Sequence, residues 1–372
     1  MLKNKSMSNK IKVWIDYDFI EKEWCDVPFL FPITWLWYGP RFDYYHKEQI
    51  EWWLKIGGKY VKITDIKSCD YIVFPKNYEI KYLPKVKFLC NQAKKYNKKV
   101  IVFYMSDVEY PLPKIKNLIV FRSSLNSNNP SNEFPMPWFP NDLIKYREKK
   151  FYEDFSNKKI SVWYCWYWWY YDLKTKIRFY IYKFAYYIVN TKFTKSLLYF
   201  LYEKVFQNER LYALISVIWS WWICRKNIID ILLNEKDLEF KYIQRKKWLW
   251  INEKIQRKEY IDNLVNCNFP LVIRWFWNFS FRLSEVISLW KIPLFIDTDC
   301  VLPFNDKIDY KKLFIWVPYY DIKNVYRYID NYVTNNKGRI EDIEETIRRN
   351  YEKYFTLSGF YINIIDILLW EE

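Results

Sequence analysis

The chain has 372 residues and 51% hydrophobic content, enough for two domains with a core each and too much for wholesale disorder. Its formal net charge of +16 points to anionic partners, namely nucleotide sugars, anionic lipid or acidic glycans. The codon bias of an AT-rich genome, toward Lys, Asn, Ile, Tyr and Phe, accounts for the same charge. Seven scattered cysteines without a C-x-x-C pair, and one histidine, argue against zinc and for reduced intracellular thiols.

In chain order the pattern alternates strand and helix. The basic start, MLKNKSMSNK, leads into no apolar segment with a cleavage site, so no signal peptide is expected. Residues 11–15 read as a strand. A long aromatic loop follows through Pro28, Pro32, Gly39 and Pro40, then a helix over 46–56. Strands at 60–63 and 71–74, a helix over 85–97, and strands at 100–104 and 118–121 come next. Residues 122–140 are polar and Pro-rich, the pattern of a long loop. The charged stretch 142–157 marks a domain boundary. A second series opens with a strand from Ile160. Residues 176–202 read as a helical pair, packed on its own domain or lying on a membrane surface. The longest apolar run, 211–224, is too short to span a bilayer. A helix at 223–233, a strand at 239–244 and a helix at 255–266 lead to strands at 271–273, 292–296 and 313–317. Asp321 fits the N-cap of a helix to 332, and helices over 339–354 and 360–369 close the chain. Strands that end in polar loops between helices mark open, largely parallel sheets, an α/β fold.

The chain is organised around residues 271–304, LVIRWFWNFSFRLSEVISLWKIPLFIDTDCVLPF. Phe279, Leu283, Val286 and Ile287 form a helical apolar stripe, and Asn278, Arg282 and Glu285 fall on another stripe of the same helix. Strand, loop, helix N-terminus and a second buried strand make the unit that holds nucleotides and phosphates in α/β folds.

This stretch resembles the C-terminal signature of the exostosin-like glycosyltransferases, R-G-x-G-N-F-S-x-R-x-x-E followed by I-P-x-F-I-x-T-D and L-P-F. Arg274, Asn278, Phe279, Ser280, Arg282, Glu285, Ile292, Pro293, Thr298, Asp299, Leu302, Pro303 and Phe304 match it. Trp275 and Trp277 stand at the two loop glycines, and Trp290 at a third. The resemblance implies two Rossmann-like domains facing across a cleft, the GT-B architecture. Residues 1–156 would be the acceptor-side domain and 157–340 the nucleotide-sugar domain. Residues 341–372 would be helices crossing back to the first domain.

The tryptophans bear on that departure. The chain holds 21 Trp and 5 Gly; together they match the roughly 7% share that glycine alone has in ordinary proteins. Many Trp also sit where glycine physics is expected, as at Trp35 and Trp37 before a loop and at Trp166, Trp168 and Trp169 past a strand. A loop that brings backbone N–H groups onto phosphate needs glycine for φ > 0 and close approach. The expectation is that many of these positions are UGA codons, which some bacterial lineages read as glycine. The alternative is a truly Trp-rich, membrane-facing protein.

By resemblance Arg282 would contact the donor diphosphate and Glu285 the ribose. A guanidinium does bind phosphate bidentately, though an exposed i,i+3 ion pair is the plain alternative. Ser280 and the backbone from Trp275 to Asn278 would hold phosphate at the helix N-terminus; simple capping by Asn278 and Ser280 is the alternative. Arg274 would add charge beside the diphosphate or close the loop. Arg245, with Lys246 and Lys247, would face the leaving group or form a solvated turn. Asp297-Thr298-Asp299 forms a D-x-D string, which on a turn is ordinarily solvated or capping, and no metal is expected. An inverting transfer needs a general base; Asp43, His46 and Asp107 are the candidates, with Glu109 beside the last.

The expected activity is metal-independent transfer from a nucleotide-diphosphate sugar to a glycan or lipid-linked acceptor, with no cofactor and no nucleic-acid partner. Inversion comes from the family alone. The expected place is the cytoplasm, including peripheral contact with the inner membrane face. A non-catalytic glycan- or membrane-binding protein on the same fold is the alternative.

Overall fold

The computed structural model describes residues 10–19, 25–34, 47–105, 112, 115–125, 132–147, 159–167, 221–245, 253–274, 278 and 280–370. Strands β1 (Ile11–Trp14), β2 (Val61–Ile63), β3 (Tyr71–Asn77), β4 (Lys99–Tyr104), β5 (Leu118–Arg122) and β6 (Glu133–Pro135) form a sheet in the order β2-β1-β3-β4-β5-β6. Strands β7 (Ile160–Tyr167), β8 (Leu238–Arg245), β9 (Phe269–Val272), β10 (Leu294–Asp297) and β11 (Ile315–Pro318) form a second, in the order β11-β10-β9-β7-β8. Neighbouring strands run parallel in both. Parallel strands covered on both faces must be apolar throughout; Tyr71, Ile72, Val73 and Phe74 are all buried, as are Val100 through Tyr104.

Both sheets are wound the same way. The first strand of each lies second from one end, and the later strands stack on its other side. The order therefore reverses between β1 and β3 in one sheet and between β7 and β9 in the other. Such a switch point opens a crevice outside the carboxyl ends of the strands, where open parallel sheets bind ligands. The chain is thus an α/β protein with two Rossmann-like domains.

The helices are α1 (Lys47–Ile56), α2 (Leu83–Lys95), α3 (Trp221–Asn234), α4 (Glu253–Val265), α5 (Phe281–Ser288), α6 (Val325–Asn335), α7 (Ile340–Asn350) and α8 (Leu357–Trp370). Helix α8 packs against the first sheet. Its Tyr361 ring lies 5.3 Å from Phe29 and 5.2 Å from Trp53, and the Tyr71 hydroxyl donates to the Leu368 carbonyl at 2.8 Å. Gly359 permits the preceding turn to close on α8, since a Cβ there would stand 2.6 Å from the Lys353 carbonyl oxygen.

Several expectations change. The loop expected over 122–140 contains β6, fastened by a buried ion pair between Arg122 and Glu133 at 2.7 Å. A three-residue strand held by an ion pair has no apolar run to announce it. The strand expected over 313–317 starts at Ile315, because Leu313 closes a helical turn, Tyr310–Leu313. Asp321 is no N-cap; it lies inside the 3-10 segment Tyr319–Asn324 and accepts bonds from Asn324 at 2.6 Å and Tyr328 at 2.7 Å. The helix expected over 339–354 ends at Asn350 and passes into a π turn, Tyr351–Phe355. The boundary at 156–157 and the helical pair at 176–202 lie outside the described residues. Among the described residues no helix is long and apolar enough to cross a membrane.

Beyond β6 the chain is tied to α7. Asp142 accepts from Arg348 at 2.9 and 2.6 Å, and Arg147 pairs with Glu344 at 2.7 Å. Burial pushes the Glu344 carboxyl up, and Arg147 beside it offsets only part of that. The pair therefore fixes the path of the chain more than it stabilises the fold. Arg147→Ala leaves Glu344 buried alone and is predicted to cost about 3 kcal/mol in urea unfolding. Joint replacement by Arg147→Met and Glu344→Leu should restore most of that loss.

Candidate functional site

Helix α5 lies at the switch point of the second sheet, directly after the loop that leaves β9. It is buried from Arg282 to Ser288. Its C-terminal end is gripped by cations: the Ser288 carbonyl accepts from Arg348 Nη1 at 2.9 Å and the Leu289 carbonyl from Arg147 Nη1 at 2.9 Å. These charges meet the negative end of the helix dipole. The N-terminal end is treated differently. No acidic residue lies in the first turn, and the Ser280 side chain makes no capping bond. The first-turn N–H groups and the positive end of the dipole make that end receptive to an anion.

Arg282 stands in this first turn and is 8% exposed. Its Nη2 donates to the Cys165 carbonyl at 2.7 Å, on β7. Its guanidinium lies 4.4 Å from the centre of the Tyr164 ring and 5.0 Å from that of Tyr260. Its Nη1 is buried and has no hydrogen-bond partner among the described residues. An unbonded buried donor costs roughly 1–3 kcal/mol, more when charged.

Two further arginines crowd the same place. Arg225, on α3, is buried and donates Nε to the Arg274 carbonyl at 2.8 Å and Nη2 to the Ile273 carbonyl at 3.3 Å. It thereby fixes the chain leaving β9 just before the loop. Burial pushes the Arg225 guanidinium down to about 10, and the charges of Arg282 and Arg274 act in the same direction. Arg282 and Arg274 thus stand close enough for their charges to act on Arg225.

Glu285 faces α4. Its Oε1 accepts from Arg257 at 2.8 Å, and its Oε2 from the Tyr260 hydroxyl. Burial, then the Glu285 charge, holds the Tyr260 hydroxyl well above its usual range, so it remains a donor. The exposed Arg282–Glu285 pair is thus replaced by two buried side chains with other partners. Asn278 is not on the helix, which starts at Phe281. It is a loop clasp: its side chain donates to the Asp299 carbonyl at 2.9 Å and accepts from Thr298 at 2.5 Å. Its N–H donates to Ser124 Oγ at 3.0 Å, just past β5 of the first domain. The Val301 N–H adds a second bridge to the Leu125 carbonyl at 3.1 Å, and Trp138 packs on Phe281 at 4.3 Å. The first domain therefore touches the loops around α5.

The D-x-D string is a closed turn. Asp297 Oδ1 accepts from the Asp299 and Cys300 N–H groups at 2.9 and 3.2 Å, and Oδ2 from the Trp316 indole at 3.1 Å. Arg245 ends β8 opposite Tyr167. Trp275, Trp277, Asp43, His46 and Asp107 lie outside the described residues.

Arg225, Arg257, Tyr260 and Ser124 are site residues that sequence reasoning missed. Arg225 had one signal: it lies beside Cys224 and Ile228 in an apolar helix, where an arginine must find partners.

Trp290 closes α5 in an unusual way. Its φ is +63°, its N–H bonds the Ile287 carbonyl at 3.1 Å, and the next N–H, of Lys291, bonds the Val286 carbonyl at 3.2 Å. This is a Schellman cap with a tryptophan at the position glycine usually takes. Among the described residues Phe304 is the other bulky side chain at positive φ, and aromatic packing against Tyr354 and Phe360 holds it. Trp290 stacks on Arg147 at 4.9 Å, but its indole N–H is buried without a partner among the described residues.

No family model matches the chain. A stretch of 103 residues is 28% identical to the Exostosin-1 homolog of Caenorhabditis elegans. That stretch is 28% of this chain and 26% of the relative, so the match spans about a quarter of the relative's length. It supports an exostosin-like, glycosyltransferase-type relationship.

Position 290 yields a test that needs no substrate. A left-handed residue with a Cβ costs about 1 kcal/mol that glycine avoids. Urea unfolding should therefore find Trp290→Gly more stable than Trp290→Ala by about that amount; equal stability would contradict the cap geometry.

Proposed function

We propose that the chain is a glycosyltransferase that takes its sugar from a nucleotide-diphosphate donor held at the N-terminus of α5. The observation that carries this reading is the buried, unbonded Nη1 of Arg282 beside an uncapped helix start. A diphosphate oxygen there would accept from Nη1 and meet the positive end of the helix dipole. Arg225 and Arg274 add charge around it, and Arg225 also positions the loop through its two carbonyl bonds. Bond cleavage at the sugar leaves negative charge on the diphosphate, so these fixed positive groups favour the transition state over the bound donor. No step in this account calls on a metal or a cofactor.

Glu285 would accept ribose hydroxyls with lone pairs beyond those used by Arg257 and Tyr260. The acceptor, a glycan or lipid-linked sugar, would approach from the first domain, where Ser124 and Leu125 border the site. A base from that side, among Asp43, His46 and Asp107, would take the acceptor proton and give inversion. The net charge of +16 would draw the anionic donor and the surface of an anionic membrane. We further propose that positions 275, 277 and 290 are glycine in the protein its own organism makes; the positive φ of Trp290 supports this at the last of them.

Calorimetric titration with UDP and GDP tests the site. At least one should bind, and Arg282→Ala should weaken it by about tenfold or more, the worth of a charge-assisted contact. Arg282→Lys should restore only part, since an ammonium lacks the planar fork. Equal affinity in Arg282→Ala would rule out the assigned site.

A further inference from the structure

A cavity lies at the outer edge of the second sheet. Strand β11 is the last strand there, and a cleft of about 800 Å³ runs along it beside α6 and α7. That volume lies within the range of ligand pockets. The cleft is bordered by Asp297, whose turn carries the Asn278 contact, so it begins at the rim of the arginine site.

Its walls combine rings with amides. Trp316, Tyr320 and Tyr328 supply the rings, and Asn331 and Asn335 the amides. Phe295 backs Trp316 at 4.7 Å while Asp297 holds the indole N–H, and Asp321 holds the Tyr328 hydroxyl at 2.7 Å. Two rings are thus oriented in advance. Tyr320 is 91% exposed beside them. Asn331 and Asn335 stand one turn apart on α6, on one face of the helix.

Fixed ring faces beside amides suit a sugar. Its C–H faces pack on aromatic rings, and its hydroxyls need donors and acceptors together, which an amide supplies. Other occupants fit less well. The chain is strongly basic, yet the cleft sets Lys311, Lys312 and Arg339 against Asp297 and Asp342, and Lys312 is already paired with Asp309 at 2.8 Å. It is not a groove for a polyanion. An extended peptide would need the free edge of β11. The Ile315 N–H turns inward to the Pro293 carbonyl, which leaves Trp316 and Pro318 facing out, and proline has no N–H to offer.

We propose that this cleft is a carbohydrate subsite for an oligosaccharide of neutral sugars, and that it holds the part of an acceptor glycan remote from the transfer centre. The second half of this statement rests on the glycosyltransferase reading; the first half does not.

The test is calorimetric titration of the full chain with neutral hexasaccharides of glucose, mannose, galactose and N-acetylglucosamine. The wild type should bind at least one of them. The double variant Tyr320→Ala, Asn331→Ala should bind it about tenfold more weakly or worse, at an unchanged melting temperature, because both side chains are exposed. Arg282→Ala should bind the sugar as the wild type does. Binding of none of these sugars, or equal binding by the double variant, would overturn the subsite. UDP and GDP titrations of the same double variant should match the wild type, so failure of the donor reading shows separately, as nucleotide binding that ignores Arg282.

Discussion

Helix α5 is eight residues long, too short to hold a direction by itself. Its apolar face is buried in the core, and two guanidinium groups on its last carbonyls, from Arg147 and Arg348, fix its C-terminal end. Both are themselves fixed by carboxylates, Glu344 and Asp142. Arg147 and Asp142 belong to the chain leaving the first domain, while Arg348 and Glu344 belong to α7. One network therefore sets the helix axis and ties the linker to the C-terminal helices. Cations satisfy the C-terminal end, while the N-terminal end has neither an acidic residue in its first turn nor a side-chain cap. The fold spends its buried charges on aiming a dipole.

The arginine site follows from that aim. Arg282 reaches β7 through the Cys165 carbonyl, and Arg225 reaches the end of β9 through two carbonyls. The two strands that flank the switch point are thus each held by a guanidinium. Burial lowers the Arg225 guanidinium, and the charges of Arg282 and Arg274 add to that. On the reading proposed above, charge kept in such a buried place would suit a multiply charged anion. The bridge between Ser124 and Asn278 puts the first domain beside it, as the transfer proposed above would require.

Much of the fold was legible because parallel strands between helices are continuous apolar runs. The strand at 100–104 is one such run, and the alternation of strands with helices gave both sheets. The order Arg274, Asn278, Ser280, Arg282, Glu285 drew attention to the helix that follows β9. Its stripe misled, since Asn278 precedes the helix and clasps the Thr298–Asp299 turn instead. What the sequence hid was tertiary. Strand β6 rests on an ion pair between residues eleven apart in the chain, and the partners of Glu285 come from another helix. Asp321 looked like a cap because Asp is a good one; two side-chain bonds hold it one turn too early.

Tryptophan stands where backbone geometry asks for glycine. At Trp290 the left-handed turn and the buried indole N–H both argue against a large side chain. Trp275 and Trp277 lie in sequence between β9 and α5, so the donor reading proposed above depends on which residue the cell inserts there. A mass spectrum of the tryptic peptide covering Trp275 to Arg282, taken on protein from the organism that encodes it, decides this directly. Glycine at 275 and 277 is the result the account predicts. Tryptophan at both would put two indoles where the diphosphate must approach and would contradict it.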